Sequence, residues 1–132
     1  MSTLSETDLD RFRERLAQRR EQLRWDLLDK IKSSDDKNFA AVAGRVHDSG
    51  DESIADVFVD MNTALIEKEV SELRDVEAAL ARLREGTFGV CIDCGAEIDR
   101  ERLEAYPTAR RCLACQNAKE DRRGGRDATP SL

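Results

Sequence analysis

The chain is poor in the materials of a large globular core: aromatic residues make up 5% of its 132 positions, charged residues 38%. That balance leaves too little apolar surface for a wide interior and points to an elongated helical body. No apolar run approaches the roughly 18 residues needed to span a bilayer. The opening M-S-T-L-S-E-T-D-L-D has neither the basic flank nor the apolar stretch of a secretory leader. A cytoplasmic protein without membrane attachment is expected. There is a single histidine, His47, and no Ser-His-Asp set, glycine-rich phosphate loop or His-Glu-x-x-His string, so a self-contained enzyme is not expected. A basic face is missing as well. The net charge is −6, and residues 47–86 carry four basic against eleven acidic groups. Direct DNA binding is therefore disfavoured, and a protein partner fits better.

What the chain does have is four cysteines in two Cys-x-x-Cys pairs, C-I-D-C-G from Cys91 and C-L-A-C-Q from Cys112, separated by seventeen residues. Each pair offers two sulfurs to one side of a tetrahedral ion, and this spacing is that of a tetrathiolate zinc site. In a reducing compartment such pairs are metal ligands rather than disulfides. Cys91, Cys94, Cys112 and Cys115 complete the shell of one Zn2+, leaving no position for water, so the metal is structural. Gly95 follows the first pair where a positive φ turns backbone N–H groups toward the thiolates.

Ahead of this module the sequence is helical. Leu9, Phe12, Leu16, Leu23, Leu27 and Ile31 fall near the 3.6-residue period from Asp8 to about Lys32, with Thr7 placed to cap the helix. Trp25 lies off the stripe. Ser33-Ser34-Asp35-Asp36 breaks the pattern with residues that favour caps and turns, and Phe39, Val42 and Val46 resume it. The stretch His47 to Ser53 contains no apolar residue and carries the turn signals Ser-Gly and Gly-Asp. A second helix is then predicted from Glu52 or Ser53 to Glu85, closed by Gly86. Its apolar runs Phe58-Met61-Leu65 and Leu73-Val76-Leu80-Leu83 are separated by a step of eight, which slips the seam and weakens any supercoil.

The predicted fold is mainly α: a long antiparallel helical hairpin (coiled coil) over residues 1–86 with an acidic tip near 48–53, a C4 zinc-ribbon module with a short C-terminal helix over 87–123, and a flexible tail over 124–132. The tip should project about 50 Å from the cysteines at 1.5 Å per residue.

The string G-T-F-G-V-C-I-D-C-G-A-E-I, followed by R-L-E-A-Y-P-T-A-R-R-C-L-A-C-Q and preceded by the hairpin, resembles the DksA/TraR family of bacterial transcription regulators. The resemblance implies a monomer that binds RNA polymerase, inserts its hairpin into the secondary channel and modulates promoter complexes without touching DNA. The family's tip pattern, D-x-x-D-x-A, corresponds here to Asp48, Asp51 and Ser53, with serine in place of alanine. Positions through which some members hold the alarmone guanosine tetraphosphate correspond to Asp75, Tyr106 and Gln116. None is basic, which implies weak alarmone dependence. Three rivals remain on sequence grounds: a factor in the same channel that stimulates transcript cleavage, a zinc-clamped coiled-coil adaptor unrelated to transcription, and a thiol redox switch.

Overall fold

A computed structural model describes residues 4–33, 39–48, 53–59 and 66–121. Within them lie six helices: α1 (Glu6–Ser33), α2 (Phe39–His47), α3 (Ile54–Val59), α4 (Glu67–Glu85), α5 (Arg100–Ala105) and α6 (Leu113–Glu120). Among the described residues there is no strand, only an isolated antiparallel bridge between Val90 and Glu97. No described helix is long and apolar enough to cross a membrane.

The axis of the molecule is the antiparallel pair α1–α4, in which the predicted stripe of α1 is the buried one. Phe12, Leu16, Leu23, Leu27 and Ile31 are at most 2% exposed, and they join Val70, Leu73, Val76, Ala79 and Leu83 of α4 in one core. Trp25 stands in solvent, with the Arg24 guanidinium over its ring. Ion pairs flank the seam: Arg19 with Glu72 at 2.6 Å, Arg20 with Glu77 at 3.2 Å, and Lys30 with Glu69. Gly86 ends α4 in the left-handed conformation, and its N–H bonds the Arg82 carbonyl, as the sequence predicts.

The start of α1 differs from expectation. Ser5, not Thr7, is the N-cap: its Oγ accepts the Asp8 N–H at 3.1 Å while the Asp8 carboxylate accepts the Ser5 N–H at 3.0 Å. This reciprocal box satisfies two donors that a helix start otherwise leaves open, and it draws Asp8 inward.

The larger difference concerns the predicted continuous helix from residue 53 to 85. The structure holds two helices, α3 and α4, and α3 lies back against α4 instead of extending it. Ser53 Oγ donates to Glu77 Oε1 at 2.7 Å; in an unbroken helix those residues would be about 36 Å apart. α2 in turn packs on α1 and α3. Of the two apolar runs, Phe58 lies on α3 and Leu73, Val76 and Leu83 lie on α4, so at the described residues they belong to different helices. Ile54, Ala55, Val57 and Phe58 are at most 2% exposed, so α3 belongs to the core. Of the expected acidic tip over 48–53, Ser53 sits against the middle of α4, and residues 49–52 lie outside the described residues. Asp51 and the 124–132 tail lie outside the described residues, as do Met61 and Leu65.

Candidate metal centre

Two local folds deliver the four sulfurs. In the first, the Val90–Glu97 bridge and the Cys91 N–H to Ala96 carbonyl bond at 2.8 Å close a tight loop. Gly95 turns it with φ 77, and its N–H returns to the Cys91 carbonyl at 3.0 Å. In the second, Cys112 is the N-cap of α6 and Cys115 lies in that helix's first turn, so both sulfurs point the same way. Ile92 N–H to Arg110 carbonyl at 2.9 Å fastens the two folds together, and Arg111 to Asp93 at 2.7 Å reinforces them.

The four Sγ atoms lie within 4.8 Å of one another, and Cys94 and Cys112 are 3.8 Å apart. A tetrahedron with zinc–sulfur bonds of 2.3 Å has edges of about 3.8 Å, so the donor set fits zinc. Its acid–base chemistry fits too. Burial pushes the Cys91 thiol up, but N–H groups of Cys94, Cys112 and Asp93 outweigh that and bring it down to about 6. Hydrogen bonds shared with Cys112, Cys91 and Cys94 push Cys115 up to about 12. Four sulfurs this close cannot all become thiolates unless a cation joins them. His47, at the end of α2, is exposed and takes no part in the cluster.

The module is anchored to the hairpin base by contacts that sequence reasoning did not name. The Phe88 ring packs on Phe12 at a centroid distance of 5.3 Å. Arg11 reaches Glu104 of α5 through both terminal guanidinium nitrogens, at 2.8 and 2.5 Å, and Arg15 adds a bond to the Glu104 carbonyl. Arg100 meets Asp8 at 2.7 Å. The only advance signal for this network was the S-x-x-D spacing of Ser5 and Asp8, whose functional face is invisible without the fold.

Asp8 is only 7% exposed. Its carboxyl is held below the ordinary carboxylate range, first by the Ser5 N–H, against the opposing effect of burial, then by the Ser5 hydroxyl and by Arg100 and Arg11. A lowered folded-state pKa means stability that is present above the unfolded value of about 3.9 and lost as pH falls through the folded value. Asp8→Asn should accordingly lower the melting temperature at neutral pH, with the gap to the parent narrowing as pH falls from about 5 toward 3. A gap constant over that interval would exclude Asp8 as the titrating group.

Of the predicted tip residues, Asp48 is exposed just past α2, with its N–H on the Gly44 carbonyl. Ser53 is half-buried and caps α3 by accepting the Asp56 N–H at 3.3 Å. Asp75, Tyr106 and Gln116, distant in sequence, line one surface cleft of about 420 Å³, where the Gln116 side chain is bonded to Glu120.

Comparison with known proteins follows the same division. Residues 86–121 match the prokaryotic dksA/traR C4-type zinc finger family. The chain is 40% identical over 68 residues to general stress protein 16O of Bacillus subtilis, covering 52% of this chain and 40% of that protein. It is 41% identical over 56 residues to the RNA polymerase-binding transcription factor DksA of Haemophilus influenzae, covering 42% of this chain and 39% of that one. The matched stretch thus spans about two fifths of the length of each curated relative. In three dimensions the chain is similar to transcription factor DksA2 of Pseudomonas aeruginosa, with a TM-score of 0.58 at 24% identity, over 91% of this chain and 88% of the other; that likeness establishes the fold.

Proposed function

We propose, from the match of residues 86–121 to the prokaryotic dksA/traR C4-type zinc finger family, that this chain is an RNA polymerase-binding transcription regulator. The observation that supports it best is the combination of a family-type zinc finger with a helical pair docked on it by Phe12, Arg11 and Arg15. In this reading residues 1–86 are the lever and 87–123 the base. Cys91, Cys94, Cys112 and Cys115 hold one structural zinc that keeps the base folded. The lever enters the secondary channel, and Asp48 and Asp51 act near the catalytic centre, where carboxylates meet basic side chains or the field of a bound Mg2+. Ser53, capping α3, contributes to holding the turn rather than to contacting the partner.

The regulator acts as a cytoplasmic monomer, without enzymatic activity and without contacting DNA, consistent with the acidic balance of residues 47–86. Weak alarmone dependence is proposed on the three matched positions, since Asp75 repels phosphate and neither Tyr106 nor Gln116 supplies positive charge; Arg102, Arg110, Arg111 and Lys119, which line the same cleft, are the only cationic groups there that could meet a phosphate.

In vitro transcription with core polymerase tests the reading. The parent should bind polymerase and shift promoter-complex lifetime; Asp51→Asn should bind comparably but lose most of that shift. Failure of the parent to bind would favour an adaptor unrelated to transcription, and identical activity of the two would remove Asp51 from the mechanism.

A further inference from the structure

In a chain of net charge −6, the zinc module gathers cations around exposed apolar side chains at one place. Tyr106 and Leu113, each more than half exposed, both line the cleft of about 420 Å³ beside α6. The Arg102 guanidinium lies over the Tyr106 ring at 5.9 Å. Two of the arginines there are already engaged: Arg111 pairs with Asp93, and Arg102 Nε donates to the Arg111 carbonyl at 3.1 Å. Arg110 and the adjacent Arg82 are not. Arg110 is exposed, and Arg82 gives one long bond of 3.4 Å to the Thr108 carbonyl. Among the described residues neither forms an ion pair. Burial and the Arg110 charge both press the Arg82 guanidinium below its ordinary pKa, so the two cations repel each other across a partly dry surface.

This cleft adjoins a larger groove of about 1020 Å³ along the α1–α4 pair, and Asp75, Tyr106 and Thr108 line both. On α4 the groove runs from Glu67 to Val76, about 14 Å at 1.5 Å per residue. A small anion would occupy the cleft alone, whereas the two hollows together have the length of a polypeptide segment. The charges favour the segment as well. A multiply charged phosphate would meet Asp75 at the junction and Glu120 on the lip. Carboxylates carried singly along a chain take one guanidinium each, and the apolar side chains between them rest on Tyr106 and Leu113.

We propose that the cleft and groove are a docking surface for an acidic segment of the partner protein, with Arg82 and Arg110 each receiving a carboxylate and Tyr106 and Leu113 receiving an apolar side chain. That the partner is RNA polymerase rests on the function proposed above; the chemistry of the surface does not. Docking relieves the repulsion between two cations that the free protein leaves uncompensated.

Two measurements on the full zinc-loaded chain test this. The first uses amide chemical shifts, with a synthetic peptide rich in Glu and Leu as one probe and inorganic pyrophosphate as the other. The peptide should move signals of residues 106–119, and Arg110→Glu should abolish the movement. Shifts scattered over the chain, shifts unchanged in Arg110→Glu, or a response to pyrophosphate without one to the peptide overturn the proposal. The second is affinity for core polymerase. Arg110→Glu and Tyr106→Ala, both at exposed side chains and checked for unchanged helix and zinc content, should each bind on the order of tenfold more weakly than the parent. Added salt should weaken the parent more than Arg110→Glu. Trp25→Ala, exposed on α1 outside the cleft, should bind as the parent does. Parental affinity in both cleft variants overturns the docking surface while leaving polymerase binding intact. A parent that never binds polymerase defeats the functional reading instead, and the peptide titration then decides the surface by itself.

Discussion

Removal of zinc, by a strong chelator or by Cys112→Ser, should unfold residues 86–121 while α1 and α4 retain part of their helix. The module has little else to hold it. Of its described apolar side chains only Phe88, Ile98 and Leu103 are buried beside Cys91. Three such side chains contribute at most about 5–9 kcal/mol at 1.5–3 kcal/mol each, before the entropy of ordering the module is counted. A structural zinc contributes about 10–16 kcal/mol to a module of this kind. The metal therefore dominates, and its loss cannot be offset by packing. Far-UV circular dichroism followed during chelation, with released zinc quantified by a colorimetric indicator, should show one equivalent per chain and a partial loss of helix. Retained amide dispersion for residues 86–121 in the metal-free protein would contradict the assignment.

The same weighing explains what could be read in advance. The zinc ligands were legible because a metal site is local: two pairs and a glycine define it, and Gly95 has the positive φ it was expected to have. The α1 stripe was legible because its periodicity is unbroken, and each of its members except the half-buried Leu9 is buried. The placement of α2 and α3 was not. Helical periodicity reports which face of a segment is apolar but not whether that face meets its neighbour in line or folded back, and both arrangements bury Phe58. The deciding contact, Glu77 with Ser53 and the start of α3, joins residues 22–24 positions apart. Its donors are mostly backbone N–H groups that carry no sequence signature. Nor does spacing distinguish Ser5 from Thr7 as a cap, since either hydroxyl precedes acidic residues; the reciprocal bond with Asp8 chooses Ser5.

Phe12→Ala should cost about 3–5 kcal/mol, the range for truncating a fully buried phenylalanine and a large share of the 5–15 kcal/mol typical of a small domain. Phe12 is 0% exposed, sits at the foot of the α1–α4 seam and carries the tilted contact with Phe88, so it is shared between hairpin and zinc module. Arg11 and Arg15 lie over its ring at 5.0 and 5.8 Å, and those same arginines bond Glu104. The charged part of this joint is the weaker one. Arg11 is 42% and Glu104 36% exposed, and pairs so open to water contribute roughly 0–1 kcal/mol. Apolar contact through Phe12 is thus what fixes the module to the lever, and the arginines chiefly set its orientation. Urea unfolding should show a lowered midpoint for Phe12→Ala with zinc content unchanged, because no ligand is touched. Trp25→Ala, on the same helix but 61% exposed, should fall within about 0.5 kcal/mol of the parent. If Phe12→Ala cost less than about 1 kcal/mol, the joint would have to be held by its ion pairs, and raising the salt concentration should then loosen it as much as the substitution does.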